Sequence, residues 1–285
     1  MTAAAETLSS RTVVTVVAGI PASDGAGVKL KRVIGQPGLD MVGPFLMLDE
    51  FGSDRPNDYI AGFPDHPHRG FETVTYMIDG RIRHRDNRGN EGVVGPGGVQ
   101  WMTTGRGIVH SEMPEQEDGL LRGMQLWLNL PASHKMTTPG WDDIGPERIP
   151  QREDADGGML RVVAGTVDGL TGPKTDGPLD PIIGEARLPA DGRRRLVLPE
   201  EHVGFLYVLD GGVSVGPAAT AVAEGQAAAL SGGSALDLTA GGEGASVFFA
   251  FARPLNEPVA RYGPFVMNTK EEIYAAIHDF QEGRF

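Results

Sequence analysis

The sequence predicts an all-β protein: two tandem jelly-roll barrels, with one α-helix near the C-terminus. Three observations lead there. Short apolar runs rich in Val, Leu, Phe, Tyr and Thr are separated by turn residues, the same order of landmarks occurs twice, and one helical signature stands apart from the rest. The 285 residues include 41 Gly and 21 Pro. These are spread along the chain, which fits many turns rather than a low-complexity tract.

The apolar runs fall at residues 12–17, 45–48, 74–78, 124–130, 205–209 and 247–251, each too short for an ordinary helix. In the first half, Thr75-Tyr-Met-Ile-Asp-Gly80 leads to Gly97 and then to Leu126-Trp-Leu-Asn-Leu-Pro131. Leu206-Tyr-Val-Leu-Asp-Gly211, Gly225 and Phe249-Ala-Phe-Ala-Arg-Pro254 repeat that order at offsets of 131, 128 and 123. A double-sheet jelly roll for each half lets such strands bury one face and protect their edges. Pro139, Gly140, Gly145 and Pro146 interrupt the pattern, so the expected domains are residues 1–145 and 146–285. The Gly- and Ala-rich stretch 211–244 still alternates at Val213, Val215, Val222, Leu236 and Leu238, as barrel strands with small side chains and tight turns would. The helix is expected at about 269–282. Thr269 to Glu272 has the form of a capping box, and Ile273, Ala276, Ile277 and Phe280 follow at helical spacing.

Composition narrows function. With 25 Lys+Arg against 38 Asp+Glu, the net charge of −13 and the lack of a basic tract oppose nucleic-acid binding. No apolar run approaches membrane-span length, and residues 1–11 lack the regions of a signal peptide, so a soluble cytoplasmic protein is expected. The chain has no Cys, which removes disulfides, thiolate catalysis and sulfur-ligated metal sites. Seven His remain.

Three of them fall in a pattern suited to metal. His66-Pro-His68 and His110-Ser-Glu112 are both ligand-x-ligand pairs, and strand residues i and i+2 face the same space. Three neutral imidazoles and one carboxylate would leave a divalent ion near +1 with open positions, closer to a non-haem iron site than to a closed structural zinc site. His84-Arg-Asp86 has the same spacing but runs into Asn87-Arg-Gly89, and reads as a hairpin end. His134 reads as part of a polar loop, and His202 and His278 as surface or satisfied side chains. Applying the offsets to the second half places Val197 and Pro199 opposite the first pair, and Leu238 and Ala240 opposite the second. That unit is expected to keep the scaffold without the site.

The segments Phe63-Pro-Asp-His-Pro-His-Arg-Gly-Phe-Glu-Thr-Val-Thr-Tyr76, Val99 to Pro114, Gly123 to Pro131 and Tyr262 to Ile273 resemble the pirin family of bicupins, whose domains are cupin barrels. The resemblance spans nearly the whole chain and is looser over residues 150–260. It implies one metal, most often Fe(II), in the N-terminal barrel, held by His66, His68, His110 and Glu112, with Ni, Cu, Zn or Mn also acceptable to such ligands. Gly98 and Arg122 depart from the family's usual Asp and His without touching a ligand position. The general cupin pattern would instead use Glu72 as the carboxylate ligand. Glu112 is preferred because it shares a strand-spaced pair with His110, leaving Glu72 beside the ligands. Phe71, Met77, Trp101 and Gln125 are expected on the cavity wall.

Three functions follow from that resemblance. The first is a quercetin 2,3-dioxygenase-like oxidoreductase (a quercetinase) that opens a flavonol with O₂ and releases carbon monoxide, with Glu112 taking the 3-hydroxyl proton as the catalytic base. The second is an iron- and redox-responsive regulator that binds a transcription factor or metabolic enzyme. The third is a metal-binding bicupin with an unrelated substrate.

Overall fold

The computed structural model describes residues 8–285. Its contacts group into two compact units. The first unit comprises Gly19–Ile149 and Leu255–Phe285, and the second comprises Pro150–Pro254 with the described residues up to Ala18. A linear cut at residue 145 is therefore corrected at both ends of the chain. The strand Val13–Ala18 pairs antiparallel with Gln226–Leu230, while Phe265 bridges to Arg69.

Each unit is built on the same sheet path. In the first, seven strands run in the order Gly140–Ile144, Val99–Thr103, Phe71–Asp79, Leu121–Asn129, Phe45–Ser53, Val28–Ile34, Ile20–Asp24. In the second, the order is Val13–Ala18, Gln226–Leu230, Val203–Val215, Ala235–Ala252, Ile182–Leu188, Met159–Ala164, Gln151–Glu153. The two halves of the sequence repeat thus occupy equivalent central strands. The outer place filled by Gly140–Ile144 in one unit is filled by Val13–Ala18 in the other, which explains why the N-terminal strand leaves the first unit.

Facing the seven-stranded sheet of the first unit is a four-stranded sheet, Phe63–His68, Ile108–Pro114, Ile82–Asp86 and Glu91–Val94. In the second unit the corresponding pairings are made by the long central strands themselves, with Arg193–Val197 on Ala235–Ala252 and Thr220–Ala223 on Val203–Val215. That unit closes on an apolar core including Leu196, Leu206, Val208, Phe249 and Phe251. Ala227, Ala228, Ala235 and Ala240 are buried there, so the small-residue stretch is barrel strand.

The helix runs from Lys270 to Gln281. Thr269 Oγ1 accepts from Glu272 N–H and the Glu272 carboxylate accepts from Thr269 N–H, completing the capping box. Ile273 and Ala276 then bury against Phe265 and Met267. Two further features hold this C-terminal segment in the first unit. Gly70 has φ +92°, and a Cβ there would sit 1.9 Å from Val266 O, so only glycine lets the chain after His68 pass this close. Lys135 is buried, and its ammonium donates to Gly70 O, Asn129 Oδ1 and Val266 O at 2.8, 2.7 and 3.0 Å.

Candidate metal centre

Strand alternation assembles the site. Phe63–His68 lies antiparallel to Ile108–Pro114 with His66 directly opposite His110, and a register shift follows before Glu112. The His66, His68 and His110 rings approach with centroids 4.4 to 5.1 Å apart. One ring nitrogen from each lies within 4.8 Å of the others, a spacing that one ion would bridge. His68 and His110 are buried and His66 is half-buried.

The hydrogen bonds assign the ligating atoms. His66 Nδ1 lies 2.8 Å from Pro64 O and His68 Nδ1 lies 3.4 Å from Pro264 O. A carbonyl only accepts, so both rings carry their proton on Nδ1 and present an Nε2 lone pair. His110 Nε2 is buried with no hydrogen-bond partner, while its Nδ1 lies 3.4 Å from His84 Nδ1. Burial, and then the neighbouring imidazoles, push His68 and His110 well below the ordinary imidazole range, which keeps both neutral. A buried nitrogen lacking a partner costs free energy unless something coordinates it. The donor set therefore fits a divalent transition metal.

Glu112 is buried on the same strand, but its oxygens are not among the ligand atoms that lie within 4.8 Å of one another. Its Oε1 accepts from Thr75 Oγ1 at 3.0 Å and its Oε2 from Gln125 Nε2 at 2.8 Å. Gln125 Oε1 in turn accepts from Trp127 Nε1 at 3.1 Å. Thr75 and Trp127 carried no signal of their own in the sequence, although both fall on the inward parity of their strands.

That parity also sorts the expected wall residues. Phe71 packs edge-on to His68 and against Trp127. Gln125 pairs with Thr75 on the inward face. Met77 shares that face but sits in an apolar cluster with Phe51, Tyr59 and Ile82. Glu72 and Trp101 belong to the opposite face, because Glu72 pairs with Leu128 and Thr103, and Trp101 with Val74. The placement of both beside the ligands is thus corrected: Thr103 Oγ1 donates to Glu72 away from the triad.

His84 differs from its reading as a hairpin end. It is fully buried in Ile82–Asp86, opposite Glu112, and its Nε2 lies 3.2 Å from Asp86 Oδ2. The flanking turn begins only after Asp86. His202, read as a surface or satisfied side chain, is buried, and its Nδ1 has no hydrogen-bond partner among the described residues.

A cavity of about 730 Å³ opens beside the triad, lined by His66, His68, Phe63, Gln125, Trp127 and Met47 among others. Asp24, Asp65 and Arg261 at its lining are exposed and form a polar rim. Inside, Arg32 is paired with buried Asp49 at 2.8 Å, and this hydrogen bond holds the guanidinium above its ordinary range.

In the second unit, the corresponding strand pair turns Leu196, Leu236 and Leu238 into the core, all nearly solvent-free. Val197, expected opposite the histidines, is 48% exposed. The offset of 131 misses the inward residue Leu196 by one position, and a one-residue slip reverses every side chain. Leucines occupy the place of ligands, and the histidine triad is the single group of this kind among the described residues.

Two jelly-roll barrels, one with a histidine triad of which His68 and His110 are buried, the other with core leucines on the corresponding strand pair, define a bicupin with one candidate metal centre. The family profile for pirin matches residues 27–128 and that for the pirin C-terminal cupin domain matches residues 183–285. A Pseudomonas aeruginosa protein named "Putative quercetin 2,3-dioxygenase" is 49% identical over 270 residues, covering 93% of this chain and 94% of its own. The crystal structure of quercetin 2,3-dioxygenase from Acinetobacter baumannii superposes with a TM-score of 0.89 at 34% identity, covering 97% of this chain and 98% of that one. A bacterial pirin from Escherichia coli, solved in complex with nickel(II), shares the fold with a TM-score of 0.65 at 20% identity over 85% of this chain and 100% of its own. The chain belongs to the pirin family.

Proposed function

We propose that this protein is a non-haem Fe(II)-dependent dioxygenase that opens a flavonol such as quercetin with O₂ and releases carbon monoxide. The observation that carries the reading is the placement of His66 and His68 on the wall of a cavity whose size is that of an ordinary small-ligand pocket. His66, His68 and His110 would hold the metal, with Glu112 as the fourth ligand. Bound there, the ion would supply Lewis acidity and redox chemistry. Trp127 and Phe63 offer aromatic surface to a flat ring system. Glu112, steadied by Thr75 and Gln125, accepts the substrate's hydroxyl proton at a carboxylate oxygen. The names of the Pseudomonas and Acinetobacter relatives support the substrate class.

The test is anaerobic loading with Fe(II), followed by O₂ uptake and carbon monoxide release on adding flavonols. Uptake that disappears in His110→Ala is expected, and no uptake with any flavonol tried refutes the activity. Metal affinity separates the carboxylates: Glu112→Ala should weaken it and Glu72→Ala should not. An unaffected Glu112→Ala removes Glu112 from the ligand set.

A second reading rests on the polar, exposed rim and the half-exposed His66, which leave the site in reach of a partner. In it the protein is a redox-responsive regulator of a transcription factor or metabolic enzyme, and partner capture differs between ferrous and ferric forms. Equal capture by both forms and the apo protein excludes it.

A further inference from the structure

We propose that His84 and Asp86 are positioning residues that fix the ring tautomer of His110 and thereby set the metal affinity of the triad. The inference rests on the reading of the triad as a metal centre. His66 and His68 are oriented by main-chain carbonyls. His110 alone is oriented by side chains.

The relay is built by strand pairing. Ile82–Asp86 lies antiparallel to Ile108–Pro114 with Asp86 opposite His110 and His84 opposite Glu112, so three of these groups converge from adjacent positions. Asp86 is fully buried at its side chain and accepts from Asn90 N–H, Asn90 Nδ2 and Arg88 N–H besides facing His84. Those donors fix where the carboxylate points. An ionised carboxylate only accepts, so His84 donates from Nε2 and its Nδ1 carries the lone pair. His110 Nδ1, 3.4 Å away, is then the donor, and the unpartnered His110 Nε2 is left bare for a cation. The opposite tautomer would place a proton on that buried Nε2 with nothing to accept it, which is unfavourable with or without metal. Trp141 stacks on His84 with centroids 5.4 Å apart and planes within 15°, restricting the ring to the orientation the relay needs. Supporting groups of this kind orient ligands in metal sites generally.

The test uses the full-length protein in two states. Long-range ¹H–¹⁵N NMR of the metal-free protein reads each imidazole tautomer directly, and calorimetry with Ni(II) against a competing chelator reads affinity. The parent should show His110 protonated at Nδ1 alone. Asp86→Asn keeps the shape of the side chain but weakens the acceptor, and His84→Phe keeps the stack on Trp141 but removes the relay. Both should mix the His110 tautomers, leave His66 and His68 unchanged, and weaken Ni(II) binding about 10- to 100-fold. If His84→Phe fails to fold, Asp86→Asn decides. A parent protonated at His110 Nε2 overturns the proposal. So does Asp86→Asn with unchanged affinity, or with weaker affinity but an unchanged tautomer. A parent that binds no Ni(II) would instead sink the metal centre itself, while the tautomer spectra still judge the relay.

Discussion

Lys135→Met perturbs the first unit at one buried point. The substitution keeps most of the side-chain volume and removes three donors, stranding Gly70 O, Asn129 Oδ1 and Val266 O. Leaving a buried acceptor unpaired costs about 1–3 kcal/mol, or about 6 kcal/mol for three at the middle of that range. Against this, burial lowers the Lys135 pKa from 10.5 to about 8. Keeping the ammonium charged therefore costs roughly 3 kcal/mol at neutral pH, a cost the methionine relieves. The net expectation is a loss of about 2–3 kcal/mol. Urea unfolding followed by tryptophan fluorescence is the assay, because Trp101, Trp127 and Trp141 all belong to this unit. A variant as stable as the parent, or more so, would show that desolvation of the ammonium outweighs its hydrogen bonds and refute the reasoning. Since the same tie braces the backbone beside His68, Ni(II) affinity should fall with stability.

Gly70→Ala meets Val266 O at 1.9 Å in a left-handed conformation, so it should cost at least about 2 kcal/mol in the same assay; an unchanged midpoint would contradict the close approach. Thr269→Ala removes the helix cap and should lose about 1 kcal/mol, with no loss arguing against the capping box. The apo protein should lose stability on acidification. His68 and His110 are held below the imidazole range when folded, so below about pH 6.5 the unfolded chain binds more protons and stability falls with pH, by up to roughly 1.4 kcal/mol per unit for each ring. Equal urea midpoints at pH 7.5 and 5.5, measured in the absence of metal, would remove this account.

The legible parts of the sequence were those with short-range grammar. Ligand-x-ligand spacing located the three histidines because strand alternation alone brings such pairs to one side. The cap and apolar spacing of residues 269–282 located the helix for a similar reason. What escaped was set by long-range register. Nothing near Val13–Ala18 announces that its partner is Gln226–Leu230, and nothing near Pro264 announces that its carbonyl orients His68. The outward turn of Glu72 and Trp101 depends on parity along Phe71–Asp79 and Val99–Thr103, which motif spacing does not report. His84 escapes the motif reading because the Asn-Arg-Gly turn begins at Asn87, three residues past it, and the strand Ile82–Asp86 buries it first. Val197 illustrates the same sensitivity: a shift of one residue separates an exposed side chain from the core leucine beside it.

The carbonyl of Pro264 has a temporal consequence. It lies 196 residues after His68 along the chain. At about 5–20 residues per second, a ribosome makes His68 on the order of 10–40 s before it makes the group that sets its tautomer. For that interval the nascent first barrel lacks both its C-terminal hairpin and its helix. The triad with all its orienting groups therefore forms only after Pro264 has been made, and a metal held by it would be captured tightly only from that point on.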